Sequence, residues 1–163
     1  MVFVRPGELR GAEWTEFNLD AAEWSIPGVR MKSGQPHIVP LSTQAMSIFR
    51  DLQPFSGHGK FVFPTPRNKN APVSNMAFNA ALKALGYSGK EITAHGFRAT
   101  ARTLLDEVLG FKIELIEHQL AHAVRDPLSR AYNRTTHLSE RRKMMQAWAD
   151  YLDDLRNKKI SAG

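Results

Sequence analysis

Thr93-Ala-His95-Gly-Phe-Arg98, Leu120-Ala-His122 and Ala131-Tyr132-Asn-Arg134 lie within one stretch, residues 93–134. His95 and Arg98 are three residues apart, the spacing that puts two side chains on one helix face. His122 follows one helical segment later, and Tyr132 stands ten residues beyond it. Two imidazoles, a guanidinium and a phenol suit chemistry on a phosphodiester. The guanidinium holds negative charge, the imidazoles donate or move protons, and the phenol attacks.

Around that stretch the pattern is mainly helical. A helix starts near Gly96 and carries Arg98, Ala101, Leu104, Leu105 and Val108, ending at Gly110; a second spans residues 112–121. Arg125-Asp-Pro127 breaks the second, and residues 128–134 form a helical turn bearing Tyr132. The longest helix covers 138–158, with Met145, Trp148, Leu152 and Leu155 forming one apolar seam. That seam packs either onto its own domain or onto a neighbouring protomer, and the sequence does not separate the two. Residues 157–163 read as a frayed tail.

Upstream, Pro6 suits the first position of a short helix over 6–13, with Arg5 at its N-terminus. Glu23-Trp-Ser-Ile-Pro-Gly and Gln35-Pro-His-Ile-Val-Pro-Leu read as antiparallel strands joined through 29–34, where Lys32 sits. Phe61-Val-Phe63 is a candidate third strand. A helix over 43–52 is expected to stop at Pro54, and another over 75–85 to be capped by Ser74 and stopped by Gly86. Pro64 to Asn70 reads as a basic exposed loop whose Arg67 and Lys69 are candidate DNA-backbone contacts. The expected fold class is therefore mainly α with a small antiparallel β-sheet, in a single domain.

Composition narrows the function. The 163 residues carry 22 Lys+Arg against 16 Asp+Glu, a formal charge of +6, which favours a polyanionic partner such as nucleic acid. With no cysteine, disulfides, zinc–thiolate sites and thiol nucleophiles are excluded. No apolar run reaches about 18 residues, so no membrane helix is expected, and Met1-Val-Phe-Val-Arg is too short for a signal peptide.

The motifs resemble those of the tyrosine recombinase (phage integrase) family, in the family's order. Arg5-Pro-Gly-Glu-Leu-Arg resembles its first arginine motif. Met31-Lys32-Ser-Gly, followed by His37-Ile-Val-Pro-Leu-Ser42, resembles its lysine-bearing hairpin. His95-Gly-Phe-Arg98, Leu120-Ala-His122 and Ala131-Tyr132-Asn-Arg134 resemble its C-terminal motifs. The wording is nearest to integrases of prophages and genomic islands.

The resemblance implies the tyrosine recombinase catalytic-domain fold and a site of Arg5, Lys32, His95, Arg98, His122 and Tyr132. Arg5 and Arg98 would clamp the non-bridging oxygens with paired donors. His122 would hydrogen-bond one of those oxygens, His95 would accept the phenol proton, and Lys32 would protonate the departing 5′-oxygen. Tyr132 would form a 3′-phosphotyrosyl bond that a DNA hydroxyl can reverse. Arg134 joins Arg67 and Lys69 as a DNA-binding residue. No metal or other cofactor is implied, since the cationic side chains do what Mg²⁺ does elsewhere. The implied partner is DNA, with a homo-oligomer (a tetramer in whole family members) and no membrane. The implied location is the bacterial cytoplasm, at the nucleoid.

Three other readings compete. His118-Gln-Leu-Ala-His122 has the i, i+4 spacing of a zinc-binding helix, but Gln119 stands where such hydrolases need a glutamate base. A DNA-binding module without catalysis would bind phosphate and form no adduct. A type IB topoisomerase would share the same chemistry. Finally, only Met1-Val-Phe-Val precedes Arg5. The resemblance therefore implies a catalytic domain lacking the N-terminal core-binding domain and the first catalytic-domain helices. Arg5 is expected to be loosely held, and activity alone to be weak or absent.

Overall fold

Trp24 is the residue around which the sheet closes. The alternation in Glu23-Trp-Ser-Ile turns Trp24 and Ile26 inward and Ser25 outward, as a strand with one buried face requires. The Phe17 ring stacks on the Trp24 indole with centroids 5.0 Å apart, and the indole N–H donates to Glu16 Oε2 at 2.9 Å. The computed structural model describes residues 1–122 and 137–161.

Three short strands form one antiparallel sheet in the order β1 (Phe17–Asn18), β2 (Glu23–Ile26), β3 (His37–Pro40). Trp24 faces Val39 across the hairpin, and Ile26 faces His37. The third strand is thus Phe17–Asn18, not Phe61-Val-Phe63. The latter segment pairs elsewhere: Glu13 bridges Phe61, and the Val62 N–H donates to the Ala12 carbonyl at 2.9 Å.

Six helices complete the described chain: α1 (Pro6–Arg10), α2 (Thr43–Ser56), α3 (Ala77–Ala84), α4 (Gly96–Glu107), α5 (Ile113–Gln119) and α6 (Leu138–Ser161). Helix α1 begins at Pro6 as expected and is shorter than the 6–13 reading, because Arg30 closes its end. The Arg30 guanidinium donates to the Glu8 carbonyl at 2.6 Å and lies against Gly11, where a Cβ would sit 3.1 Å from Nη2.

Helix α2 runs through Pro54 rather than stopping at it. Proline removes one helical hydrogen bond, and near the end of the helix that loss is small enough to tolerate. The Gly57 N–H still bonds the Gln53 carbonyl at 2.7 Å, and Ser56 Oγ–H donates to the Val62 carbonyl at 2.8 Å. At the other end Ser42, buried, accepts from the Ala45 N–H at 3.3 Å. Replacing Ser42 with alanine is expected to cost about 1 kcal/mol, readable as a lower urea midpoint with an unchanged slope.

Helix α3 starts at Ala77, later than expected. Ser74 gives it only a backbone carbonyl, to the Ala77 N–H at 3.1 Å, and no side-chain cap. Gly86 at φ +95° ends this region in the left-handed conformation glycine adopts without penalty. Helix α6 persists to Ser161, so the frayed tail expected from residue 157 is still helical over most of its length.

Two apolar clusters form the core. Trp24, Ile26, Val39, Met46 and Phe49 pack the sheet onto α2, while Ala101, Leu105, Ile116, Met145 and Trp148 join α4, α5 and α6. Adjacent residues Phe3 and Val4 belong to different clusters, so the segment entering α1 is nailed to both. The α6 seam splits along its length: Met145 and Trp148 are buried in their own domain, Leu152 packs at its margin, and Leu155 is 44% exposed. Among the described residues no helix is long and apolar enough to cross a membrane.

Candidate active site

The C-terminal end of α5 gathers the basic residues. The helix closes with a Schellman turn: the Ala121 N–H bonds the His118 carbonyl at 3.1 Å, and the His122 N–H bonds the Glu117 carbonyl at 3.0 Å. Ala121 takes the left-handed conformation that such a turn demands, at φ 51°. A non-glycine residue there costs roughly 1–2 kcal/mol, which the surrounding contacts must outweigh. The turn exposes three successive carbonyls, Gln119, Leu120 and Ala121, and each receives a basic side chain from a different element. His37 of β3 donates Nε2–H to Gln119 O at 3.1 Å, Arg98 of α4 donates Nη2–H to Leu120 O at 2.8 Å, and Arg5 reaches Ala121 O at 3.5 Å.

Arg98 is buried. Its Nη1 donates to the Phe3 carbonyl, and its Nη2 lies 3.3 Å from His122 Nε2. Burial lowers its pKa and the charge of Arg5 lowers it further, while Glu8 and Glu117 act the other way. Guanidinium remains cationic at neutral pH. Arg5 is half-buried and is not loosely held: its Nη1 pairs with Glu8 Oε1 at 2.9 Å, and Glu8 Oε2 accepts from the Arg5 backbone N–H at 2.7 Å. Glu8, itself buried, is the acid that fixes this arginine. The sequence carried its signal in the three-residue spacing of Arg5 and Glu8 at a helix start.

His122 lies beyond the helix, on the turn. Its Nδ1 is 2.5 Å from Glu117 Oε2, and Glu117 Oε1 accepts from Arg102 Nε at 2.6 Å. Burial works against the charged form of Glu117. Hydrogen bonds from Arg102 and His122 outweigh it, so the carboxyl titrates below the usual range. The helix-face spacing of His118 and His122 therefore does not apply, because the left-handed Ala121 turns the chain between them. Among the described residues no three His, Asp or Glu side chains gather as a metal site.

The remaining sequence candidates sit apart or outside. His95 is exposed at the N-cap of α4, three residues before buried Arg98. Lys32 is exposed on the β2–β3 connection and makes no hydrogen bond or ion pair among the described residues. Arg67 and Lys69 are exposed on their loop, with Lys69 Nζ 3.0 Å from His58 Nε2. Tyr132 and Arg134 lie outside the described residues.

Behind the turn is a polar network that residue spacing did not reveal. Arg141 of α6 is fully buried, donates from Nε and Nη2 to Gln119 Oε1 at 2.9 and 2.7 Å, and bonds the Ile38 carbonyl at 2.5 Å. It ties α6, α5 and β3 together with no carboxylate partner among the described residues. Burial lowers its pKa to about 10.

Two guanidinium groups and an imidazole thus converge on one turn, and this arrangement can be compared with known proteins. The model of the phage integrase family matches residues 3–138. The chain belongs to the phage integrase family. It is 45% identical over 175 aligned residues to the integrase of Enterobacteria phage P4, covering 99% of this chain and 40% of that protein. It is 43% identical over 150 residues to prophage integrase IntA of Escherichia coli K12, covering 92% of this chain and 36% of IntA. The chain therefore spans well under half the length of these relatives. The crystal structure of XerA recombinase shares the fold at a TM-score of 0.61 and 17% identity, over 76% of this chain and 46% of XerA. The chain has the tyrosine recombinase fold: mainly helical, with one small antiparallel sheet.

Proposed function

We propose that this phage integrase family chain is the catalytic domain of a site-specific DNA recombinase, cleaving and rejoining strands through a 3′-phosphotyrosyl bond to Tyr132. The observation that carries this is the meeting of Arg5, Arg98 and His122 at the end of α5. Charge in the transition state spreads over the non-bridging oxygens, and cationic donors fixed in place beforehand stabilise it without reorganising. Arg98 is fixed by two carbonyls and Arg5 by Glu8, so both are preorganised.

In this mechanism the Tyr132 phenol attacks phosphorus and the 5′-oxygen departs. Lys32 on the hairpin protonates the leaving oxygen, and His95 accepts the phenol proton. The bond energy is kept in the tyrosyl ester, so a DNA hydroxyl can reverse the step. Arg67, Lys69 and Arg134 bind the DNA backbone. The partner is DNA in the bacterial cytoplasm, and the working assembly is a homo-oligomer. Arg5 is firmly held, but the chain spans only 40% of the phage P4 integrase, and on its own it is expected to recombine DNA weakly or not at all, which robust integration by the isolated chain would contradict.

Crystals grown with vanadate are expected to place one oxyanion against Arg5, Arg98 and His122. Scattered anions, or none there, would remove the phosphoryl-transfer reading. On a nicked DNA substrate the native chain is expected to leave a covalent adduct that Tyr132→Phe abolishes. An adduct surviving that change would take Tyr132 out of its role.

A further inference from the structure

One face of α4 carries Arg98 and, one turn on, Arg102. Arg98 Nη2 approaches His122 Nε2 at 3.3 Å, while Arg102 Nε holds Glu117 at 2.6 Å, and Glu117 meets His122 Nδ1 at 2.5 Å. The chain of contacts leaves α4, passes through both ring nitrogens of His122 and returns to α4. Glu117 also binds the His122 backbone, since its carbonyl accepts the His122 N–H at 3.0 Å. Residue 122 is therefore held at two points by the same residue.

The hydrogen-bond chemistry assigns the ring protons. A carboxylate only accepts, so Nδ1 carries a proton. A guanidinium only donates, so Nε2 presents its lone pair to Arg98. The neutral ring is thus the Nδ1–H tautomer, the opposite of the form favoured by free histidine in water. To donate a hydrogen bond to a bound oxyanion, Nε2 must first take up a second proton. With that proton the ring donates to Glu117 through Nδ1 and to the oxyanion through Nε2.

We propose that Glu117 is a positioning residue for the reaction, with Arg102 holding it in place. Glu117 fixes the tautomer of His122 with Nε2 turned toward Arg98. It also supports the proton that Nε2 takes from solvent when a phosphoryl group binds. This inference rests on the phosphoryl-transfer reading for its purpose, and on the geometry of α4 and α5 for its structure.

The test is ring-nitrogen NMR on ¹⁵N-histidine-labelled chain at mildly alkaline pH, with His122 assigned by its loss in His122→Asn. The native spectrum is expected to show Nδ1 protonated and Nε2 bare, and added vanadate to protonate Nε2. Glu117→Ala is expected to switch the neutral ring to Nε2–H. Glu117→Gln, whose amide oxygen still accepts, keeps Nδ1–H but loses the vanadate-induced protonation. A native ring already in the Nε2–H form, or a tautomer unmoved in Glu117→Ala, overturns the proposal. So does a Glu117→Gln ring that still takes the second proton as readily as the native one. If vanadate perturbs no histidine ring in the native chain, the phosphoryl-transfer reading itself fails, and the role of Glu117 in the reaction fails with it. The tautomer measurements, made without vanadate, keep the two failures apart.

Discussion

Arg98→Ala is expected to destabilise the chain by roughly 2–4 kcal/mol and to lower DNA strand cleavage at least about a hundredfold. The stability loss comes from two carbonyls, Phe3 and Leu120, that lose a charged donor inside the fold. Leaving a buried acceptor unsatisfied costs about 1–3 kcal/mol, and relief of the repulsion between Arg98 and Arg5 returns part of it. The cleavage loss follows from removing one preorganised donor, typically worth about 10²–10³ in rate. Arg98→Lys separates the two effects. It keeps the positive charge, but a single ammonium cannot span two carbonyls and a phosphate as a planar fork does. Its stability is expected to lie between those of the native chain and Arg98→Ala, with cleavage still strongly reduced. Urea unfolding of the three proteins reads the first effect, and adduct formation on nicked DNA reads the second. An Arg98→Ala chain as stable as the native one would show that Phe3 and Leu120 do not depend on this side chain.

The same residue shows what the sequence could and could not reveal. The histidine–arginine spacing in His95-Gly-Phe-Arg98 marked a helix start, and α4 begins at Gly96. The hairpin of Trp24 and Ile38 was readable because alternation and turn residues are local properties. What binds Arg98 was not readable. Phe3 and the Leu120–His122 turn are two segments distant in sequence, and backbone carbonyls leave no trace in residue identity. Glu117 was missed for a related reason. A five-residue interval matches no helix-face rule, and it becomes a contact only because Ala121 turns left-handed after α5. Pro54 erred in the other direction: a strong local breaker was overridden near the end of a helix that the core already holds.

Arg141 belongs to the same lesson. In the sequence it is one arginine of an adjacent pair, Arg141 and Arg142, at the start of a long helix. In the fold Arg141 is fully buried on Gln119 while Arg142 reaches the Ala21 carbonyl and pairs with Glu23. Periodicity of apolar residues assigns no role to a cation inside the core. Its role is visible only once Gln119 is seen to face inward from the same short helix that presents the three carbonyls. The site is therefore supported from behind: α6 holds Gln119, Gln119 lies on α5, and the end of α5 positions Arg5, Arg98 and His122.

Acid should loosen that support through His37. This imidazole is buried, its Nε2–H bonds the Gln119 carbonyl, and its pKa is lowered to about 3 by burial first and then by the charge of Arg141. His118 and Arg98 lower it further, and the bond to Gln119 acts in the opposite direction. The unfolded chain has an ordinary histidine pKa near 6.5. Above that value neither state binds the proton, and His37 adds no pH dependence. Between about 6.5 and about 3 the unfolded state is protonated and the folded state is not, so stability falls as the pH falls. The loss is about 2 kcal/mol at pH 5 and about 3 kcal/mol at pH 4, by linkage from the two pKa values. His37→Gln can still donate to the carbonyl and does not titrate in this range. Urea unfolding from pH 7 to pH 4 should therefore show the native chain losing that much more stability than His37→Gln. Parallel curves would mean that His37 takes its proton in the folded state. The strand that carries it would then open readily enough to solvate the ring, and the carbonyls at the end of α5 would be held by Arg98 and Arg5 alone.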